Sequence, residues 1–174
     1  MEYELPKMEI RLADIVPESV VDGKGIRMTV FVQGCKHACK GCHNPVTWST
    51  DGGEVRDISF ITGLAEKDPL LDGLTLSGGE PFLQPAPLYE LSKWCHAHKL
   101  NVWCYSGYTY EQLTEMAKSD DDVKNLLGEI DVLVDGPFIE EKKDLLLVFR
   151  GSGNQRVIDL NKTREAGEIV LLPV

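Results

Sequence analysis

The chain has 174 residues, 43% hydrophobic and 26% charged, with 18 Lys and Arg against 28 Asp and Glu for a net charge of −10. That size predicts a single domain over residues 1–174 with a substantial core, and the balance is that of a globular protein. The acidic balance excludes a general nucleic-acid binder, which needs a basic face, and no apolar run is as long as a membrane span.

The first residues carry no apolar stretch of a secretory signal. Five cysteines, three of them clustered, do not form a paired disulfide framework. A cytoplasmic chain with reduced thiols is expected, acting on a protein or small molecule.

In chain order, residues 28–33 are β-branched and aromatic and read as a strand that delivers a cysteine loop. Residues 49–53 are turn-rich, and a helix is predicted from Asp57 with Ile58, Ile61, Leu64 and Ala65 near helical spacing. A short strand over 74–77 ends in Gly78-Gly79-Glu80-Pro81. The next helix carries Leu88, Leu91, Trp94 and Cys95 on one stripe. A strand over 101–105 follows, then a capping box from Thr109 to Gln112 that opens a helix with Leu113, Met116 and Ala117. Strands are predicted over 130–134, 145–149 and 155–160, the last two flanking Arg150-Gly-Ser-Gly-Asn154.

Strands alternating with helices imply right-handed βαβ units and a mainly parallel sheet. A complete eight-stranded barrel typically needs ~250 residues, so an open, splayed barrel or a doubly wound sheet remains. Gly34, Ser77, Ser106 and Asp135 fall just after strands, at the edge where α/β proteins bind ligands. Cys95 and Cys104 lie in apolar contexts and read as buried packing residues.

The cysteine loop has the spacing C-x3-C-x2-C, at Cys35, Cys39 and Cys42. A structural zinc site or an ordinary iron–sulfur cluster takes four protein ligands, so this loop is one ligand short. His37 or His43 is a candidate fourth ligand for zinc, although His43 directly follows Cys42. Three unliganded thiols are a further alternative. The functional reading is a 4Fe–4S cluster held by three cysteines, with its fourth iron free for an exogenous ligand.

Ser77-Gly-Gly-Glu-Pro81 alone is also a plain turn. One βα unit after the cysteine loop, it resembles the glycine-rich motif with which radical S-adenosylmethionine (SAM) proteins bind the amino group of SAM. Further blocks extend the resemblance: Asp14-Ile-Val16, Gly23-Lys-Gly-Ile-Arg27, Gly41-Cys-His-Asn44, Tyr105-Ser-Gly-Tyr108, Val132-Leu-Val-Asp-Gly136 and Arg150-Gly-Ser with Asn154-Gln155. Their order over roughly residues 10 to 160 is similar to that of the activating proteins of anaerobic ribonucleoside-triphosphate reductase.

That resemblance implies a partial, open (βα)6-type TIM-like barrel and an oxidoreductase of the glycyl-radical activase type, similar to the formate C-acetyltransferase activating enzyme. Its cofactors would be a 4Fe–4S cluster and SAM, cleaved reductively to methionine and a 5′-deoxyadenosyl radical. The radical would take a hydrogen from a glycine of the reductase large subunit. Cys35, Cys39 and Cys42 would ligate iron; Gly41, Cys42 and His43 would lie against SAM, with Gly78 and Gly79 on its amino group.

No side chain is expected to act as general acid or base. Ser106 and Asp135 are candidates for the ribose or the methionine carboxylate, or are plain strand ends. Lys36 and Lys40 would dock an acidic electron donor such as flavodoxin, and Asn154 and Gln155 the reductase. Gly41 stands where many relatives have an aromatic residue, and His43 is expected to fill that space. The alternatives are the pyruvate formate-lyase activating enzyme, a radical SAM enzyme with a small substrate such as a deazaguanine-forming synthase, and a zinc-stabilised interaction module.

Overall fold

A computed structural model describes residues 3–174. Its strands are β1 (Glu9–Ser19), β2 (Arg27–Val32), β3 (Glu54–Asp57), β4 (Gly73–Gly78), β5 (Asn101–Tyr105), β6 (Val132–Asp135) and β7 (Arg156–Asp159). The helices are α1 (Ser59–Glu66), α2 (Pro85–Ala97), α3 (Tyr110–Ala117), α4 (Asp121–Glu129) and α5 (Leu160–Ala166). All seven strands form one sheet in the order β3-β1-β2-β4-β5-β6-β7. The centre, β2-β4-β5-β6, is parallel, while β1 with β2, β1 with β3, and β6 with β7 are antiparallel. The mainly parallel sheet expected from βαβ units therefore describes the centre, with antiparallel strands added at both edges.

Strand alternation separates the two faces. Met28, Leu74, Val102, Leu133 and Ile158 point to one side and join Ile61, Leu91, Leu113, Leu126 and Leu160, one from each helix, in a single core. Each such leucine or isoleucine contributes roughly 1.5–3 kcal/mol when fully buried. On the opposite side Thr29 pairs with Thr75, Thr75 with Trp103, and Trp103 with Val132. There Trp103, Val132, Val134 and Val157 make a separate small cluster without any helical residue. The helices thus cover one face only, which departs from the doubly wound alternative with helices on both faces.

The uncovered face carries polar groups. Arg27 is fully buried on it. Its Nε donates to Thr75 Oγ1 at 2.7 Å, its Nη2 to the Leu74 carbonyl at 2.8 Å, and its Nη1 to the Lys24 carbonyl at 3.0 Å. Its guanidinium lies 5.4 Å from the Trp103 ring centroid. Burial pulls the guanidinium pKa down to about 10. The Thr75 hydroxyl donates to the Asp22 carbonyl at 2.7 Å, so the β1–β2 turn is folded back over this face.

Local chemistry sets most boundaries. Thr109 and Gln112 form the predicted capping box, with the Gln112 amide donating to Thr109 Oγ1 at 3.1 Å and the Thr109 amide to Gln112 Oε1 at 2.9 Å. The helix expected from Asp57 begins at Ser59, because Asp57 ends β3 and its carboxylate accepts from the Ser59 amide at 2.9 Å.

The strand expected over 145–149 is absent. Asp144 turns the chain instead, its carboxylate accepting from the Leu146 amide at 2.9 Å, and this local bond competes with a strand ladder. The resulting loop closes on itself through the Lys143–Ser152 bridge. Strand β1 escaped the sequence reading because register shifts between Leu12 and Asp14, and between Val16 and Ser19, break its alternation.

Candidate metal centre

A cavity of about 400 Å³ opens on the uncovered face, at the carboxyl ends of β2, β4, β5 and β6. The loop after β2 contributes Cys35, His37, Cys39, Cys42 and His43, the end of β4 contributes Ser77 and Gly78 with Gly79 directly after it, and β5 leads into Ser106 and Gly107. Phe138, Leu147, Phe149 and Arg150 complete the wall from the segment between β6 and β7.

All three clustered cysteines are free thiols, partly exposed. Cys95 and Cys104 are buried away from them among helix-facing residues, as their apolar contexts predict, and burial pushes both thiols up. Burial is also the largest cause raising the Cys35 thiol, followed by an opposing backbone hydrogen bond at His37 and then by the charges of Glu80, Cys39 and Cys42, which raise it. The Asn44 amide donates to Cys42 Sγ at 3.4 Å. Among the described residues no three His, Cys, Asp or Glu side chains converge on one point closely enough to hold a single ion. The thiols instead share the wall of one cavity. A donor set of three thiols is soft, and its chemistry fits iron–sulfur ligation.

Glycine chemistry joins the two motifs. Gly78 has φ +96°, and a Cβ on Gly78 would overlap the backbone of Val32. A Cβ on Gly79 would overlap the Gly34 carbonyl. The Glu80 amide donates to that same carbonyl at 2.7 Å. The glycines thus let the end of β4 lie directly against the base of the cysteine loop.

The sequence reading missed the role of Glu80. Its side chain is 1% exposed. Its carboxylate accepts from the Phe82 amide at 3.0 Å, the Ser106 hydroxyl at 3.0 Å, the Gly107 amide at 2.8 Å and His37 Nε2 at 2.6 Å. An acidic residue between glycine and a buried Pro-Phe pair was the available signal, since a buried carboxylate must find donors.

The fold brings together Cys35, Cys39, Cys42, His43, Gly78, Gly79, Ser106 and Gln155. Gly41 stays outside the wall; its φ is +76°, and a Cβ there would lie 3.1 Å from Glu140 Cδ. His43 packs against Phe138 at 5.1 Å between ring centroids. Asp135 is turned away, accepting from Arg156 Nε at 3.1 Å and the Tyr110 amide at 2.7 Å, which is a structural strand end. Asn154 and Gln155 spend their amides on the loop itself: Asn154 Nδ2 donates to the Pro137 carbonyl at 2.8 Å and Gln155 Nε2 to that of Gly136 at 3.0 Å. Lys36 is exposed, and Lys40 is 3.8 Å from Glu140 at the surface.

Residues 21–158 match the family model described as a 4Fe-4S single cluster domain, which sets the class of protein. The activating protein of anaerobic ribonucleoside-triphosphate reductase from Vibrio cholerae is 42% identical over 149 residues, covering 80% of this chain and 91% of that protein. Those of Haemophilus influenzae and Escherichia coli K12 are 39% and 33% identical, covering 80% and 81% of this chain and 91% and 93% of theirs. The chain belongs to the family of anaerobic ribonucleoside-triphosphate reductase-activating proteins. Among solved structures, QueE from Escherichia coli superposes with a TM-score of 0.46 at 13% identity, over 58% of this chain and 54% of that one.

Proposed function

We propose that this chain installs a glycyl radical on the large subunit of anaerobic ribonucleoside-triphosphate reductase. One observation carries the reading: three free thiols and the Gly78-Gly79 backbone line the same cavity. A 4Fe–4S cluster, once reduced by an external electron donor, would supply with SAM the radical chemistry that takes hydrogen from a glycine.

Cys35, Cys39 and Cys42 hold the cluster, and Cys42, His43, Gly78 and Gly79 face SAM. Gly41 serves this arrangement through its left-handed backbone, which turns the chain between Cys39 and Cys42. The Ser106 hydroxyl is bound to Glu80, so Ser106 acts by bracing that carboxylate. No side chain here needs to move a proton.

The one-sided layering supports a partial, open barrel of the (βα)6 type, with the cavity inside its curve. An open mouth suits a polypeptide substrate, which long lids would exclude. The cytoplasm is the compartment that keeps these thiols reduced. Lys36 and Lys40, with no acidic residue between positions 34 and 50, suit an acidic electron donor such as flavodoxin.

The test is incubation of cluster-loaded protein with SAM, a reductant and the reductase, followed by electron paramagnetic resonance. A glycyl-radical signal is expected. Its absence, with the cluster intact and reducible, would overturn the activase reading.

A further inference from the structure

The segment between Cys35 and Cys42 is tied to the fold at few points. Its base is held by the Gly34 amide on the Thr47 carbonyl at 2.7 Å and the Cys35 amide on the Trp48 carbonyl at 3.1 Å. From 36 to 41, among the described residues, no backbone hydrogen bond reaches another part of the chain. The Cys42 amide closes on the Cys39 carbonyl at 3.1 Å, inside the loop. Two side chains make the remaining polar ties. Lys40 lies 3.8 Å from Glu140, with its side chain 84% exposed. His37 bonds Glu80 at 2.6 Å, with the two side chains 18% and 1% exposed. A solvated lysine holds little, whereas a short, partly buried hydrogen bond to a buried carboxylate holds more.

The surroundings are shaped to this imidazole. The Tyr108 ring meets it edge-on at 4.5 Å between centroids. Gly107 leaves room for it, since a Cβ there would lie 2.5 Å from His37 Cδ2. Directly after His37, Ala38 adopts φ +51°, a left-handed conformation that a residue with a side chain keeps only when its surroundings impose it. This turn sets His37 against Glu80 while both His37 and Cys39 stay in the cavity wall. Glu80 in turn is fixed by Ser106, Gly107 and Phe82, so the bond links the cysteine loop to the ends of β4 and β5.

We propose that His37 is a positioning residue for the metal centre: its hydrogen bond to Glu80 sets where Cys35, Cys39 and Cys42 stand relative to Gly78 and Gly79. The inference rests on the cluster reading above. It concerns the imidazole as a hydrogen-bond donor and assigns it no place among the ligands.

The experiment loads wild type, His37→Ala, His37→Gln and Gly107→Ala anaerobically with iron and sulfide. It then follows cluster loss to an iron chelator and the electron paramagnetic resonance spectrum of the reduced cluster, with and without SAM. Glutamine carries an N–H near the place of His37 Nε2, whereas alanine carries none. Loss of the bond is expected to speed chelation ~10-fold or more, the scale of a lost partner behind a metal ligand. The spectrum of His37→Ala should broaden, and Gln should restore both readouts. Gly107→Ala should reproduce the defect with His37 still present, which covers the case in which His37→Ala folds poorly.

Wild-type chelation and spectra in His37→Ala would overturn the inference alone. So would Gln failing as badly as Ala, because packing rather than the hydrogen bond would then matter. If wild type takes up no iron and sulfide, the cluster reading falls and this inference with it.

Discussion

Gly79 stands against the carbonyl of Gly34, so closely that a methyl group on Gly79 would overlap that oxygen. The contact is backbone on backbone, which no rotamer change can relieve. It joins the glycine-rich end of β4 to the residue before Cys35, and so couples the two motifs of the cavity through main chain alone.

Gly79→Ala is therefore expected to destabilise the fold by ~1–3 kcal/mol, the range for overpacking a fitted site, and to lower cluster occupancy. Gly63→Ala is the matched control, since it lies in α1 with nothing within 4 Å of an added Cβ. Alanine there should stabilise by ~0.5–1 kcal/mol through helix propensity. Urea midpoints of the two variants moving in the same direction would refute the backbone-contact argument.

Anaerobic reconstitution should give a brown protein with about four irons and four sulfides per chain. Replacing any one of Cys35, Cys39 and Cys42 with alanine should abolish most of that iron, while Cys95→Ala should leave it in place, because Cys95 is buried among helix-facing residues. A colourless wild type with about one zinc would establish the zinc-module alternative instead.

The apolar run from Leu145 to Phe149 lies at the cavity mouth. Leu147 and Phe149 line the wall, while Leu145 and Leu146 are 86% and 90% exposed. Leu145→Asp with Leu146→Asp should weaken binding of the reductase large subunit at least ~10-fold, as loss of a buried apolar anchor would. SAM cleavage without the reductase should be unaffected. The matched control is Leu70→Asp, 63% exposed in the turn before β4, at the strand's amino end and so opposite to the cavity. Equal affinity for all three proteins in a titration would refute a role for the loop in docking.

His96 bridges two carboxylates, with Nε2 2.8 Å from Asp131 and Nδ1 2.8 Å from Glu129. The Asp131 hydrogen bond, opposed by burial and aided by Glu129, raises its pKa to about 9 from an ordinary 6.5. A folded-state value above the unfolded one means that the stabilisation is complete below about pH 6.5 and disappears as pH rises through 9. Urea midpoints should fall between pH 6.5 and 9.5, and His96→Gln should flatten that fall. A decline of equal depth in the variant would assign the dependence to other groups.

Much of this was legible in residue order. The capping box at Thr109, the central strands and the burial of Cys95 and Cys104 follow from local propensity and period, which depend only on near neighbours. Strand β1 was hidden because its bulges erase the alternation. Leucines 145–147 misled for the opposite reason: an apolar run reads as a strand, but Asp144 supplies a competing turn and no sheet edge receives it.

The site divides in the same way. Spacing alone marked Cys35, Cys39 and Cys42, and the Gly78-Gly79 motif stood out at the next strand end. The sequence could not say that Glu80, rather than Ser106 or Asp135, is the hub of the polar network, because a carboxylate gains that role only when donors from three segments converge on it.

By itself, the sequence determined the thiol donor set, the family and the alternation of strands with helices, all carried by residue type and spacing. Tertiary structure alone decided that every helix packs on one face and that the other face holds the cavity. It also placed Gly41 and Asp135 outside the wall and His37 against Glu80. Those outcomes depend on strand register and on which distant segments meet, and no window of the chain contains that information.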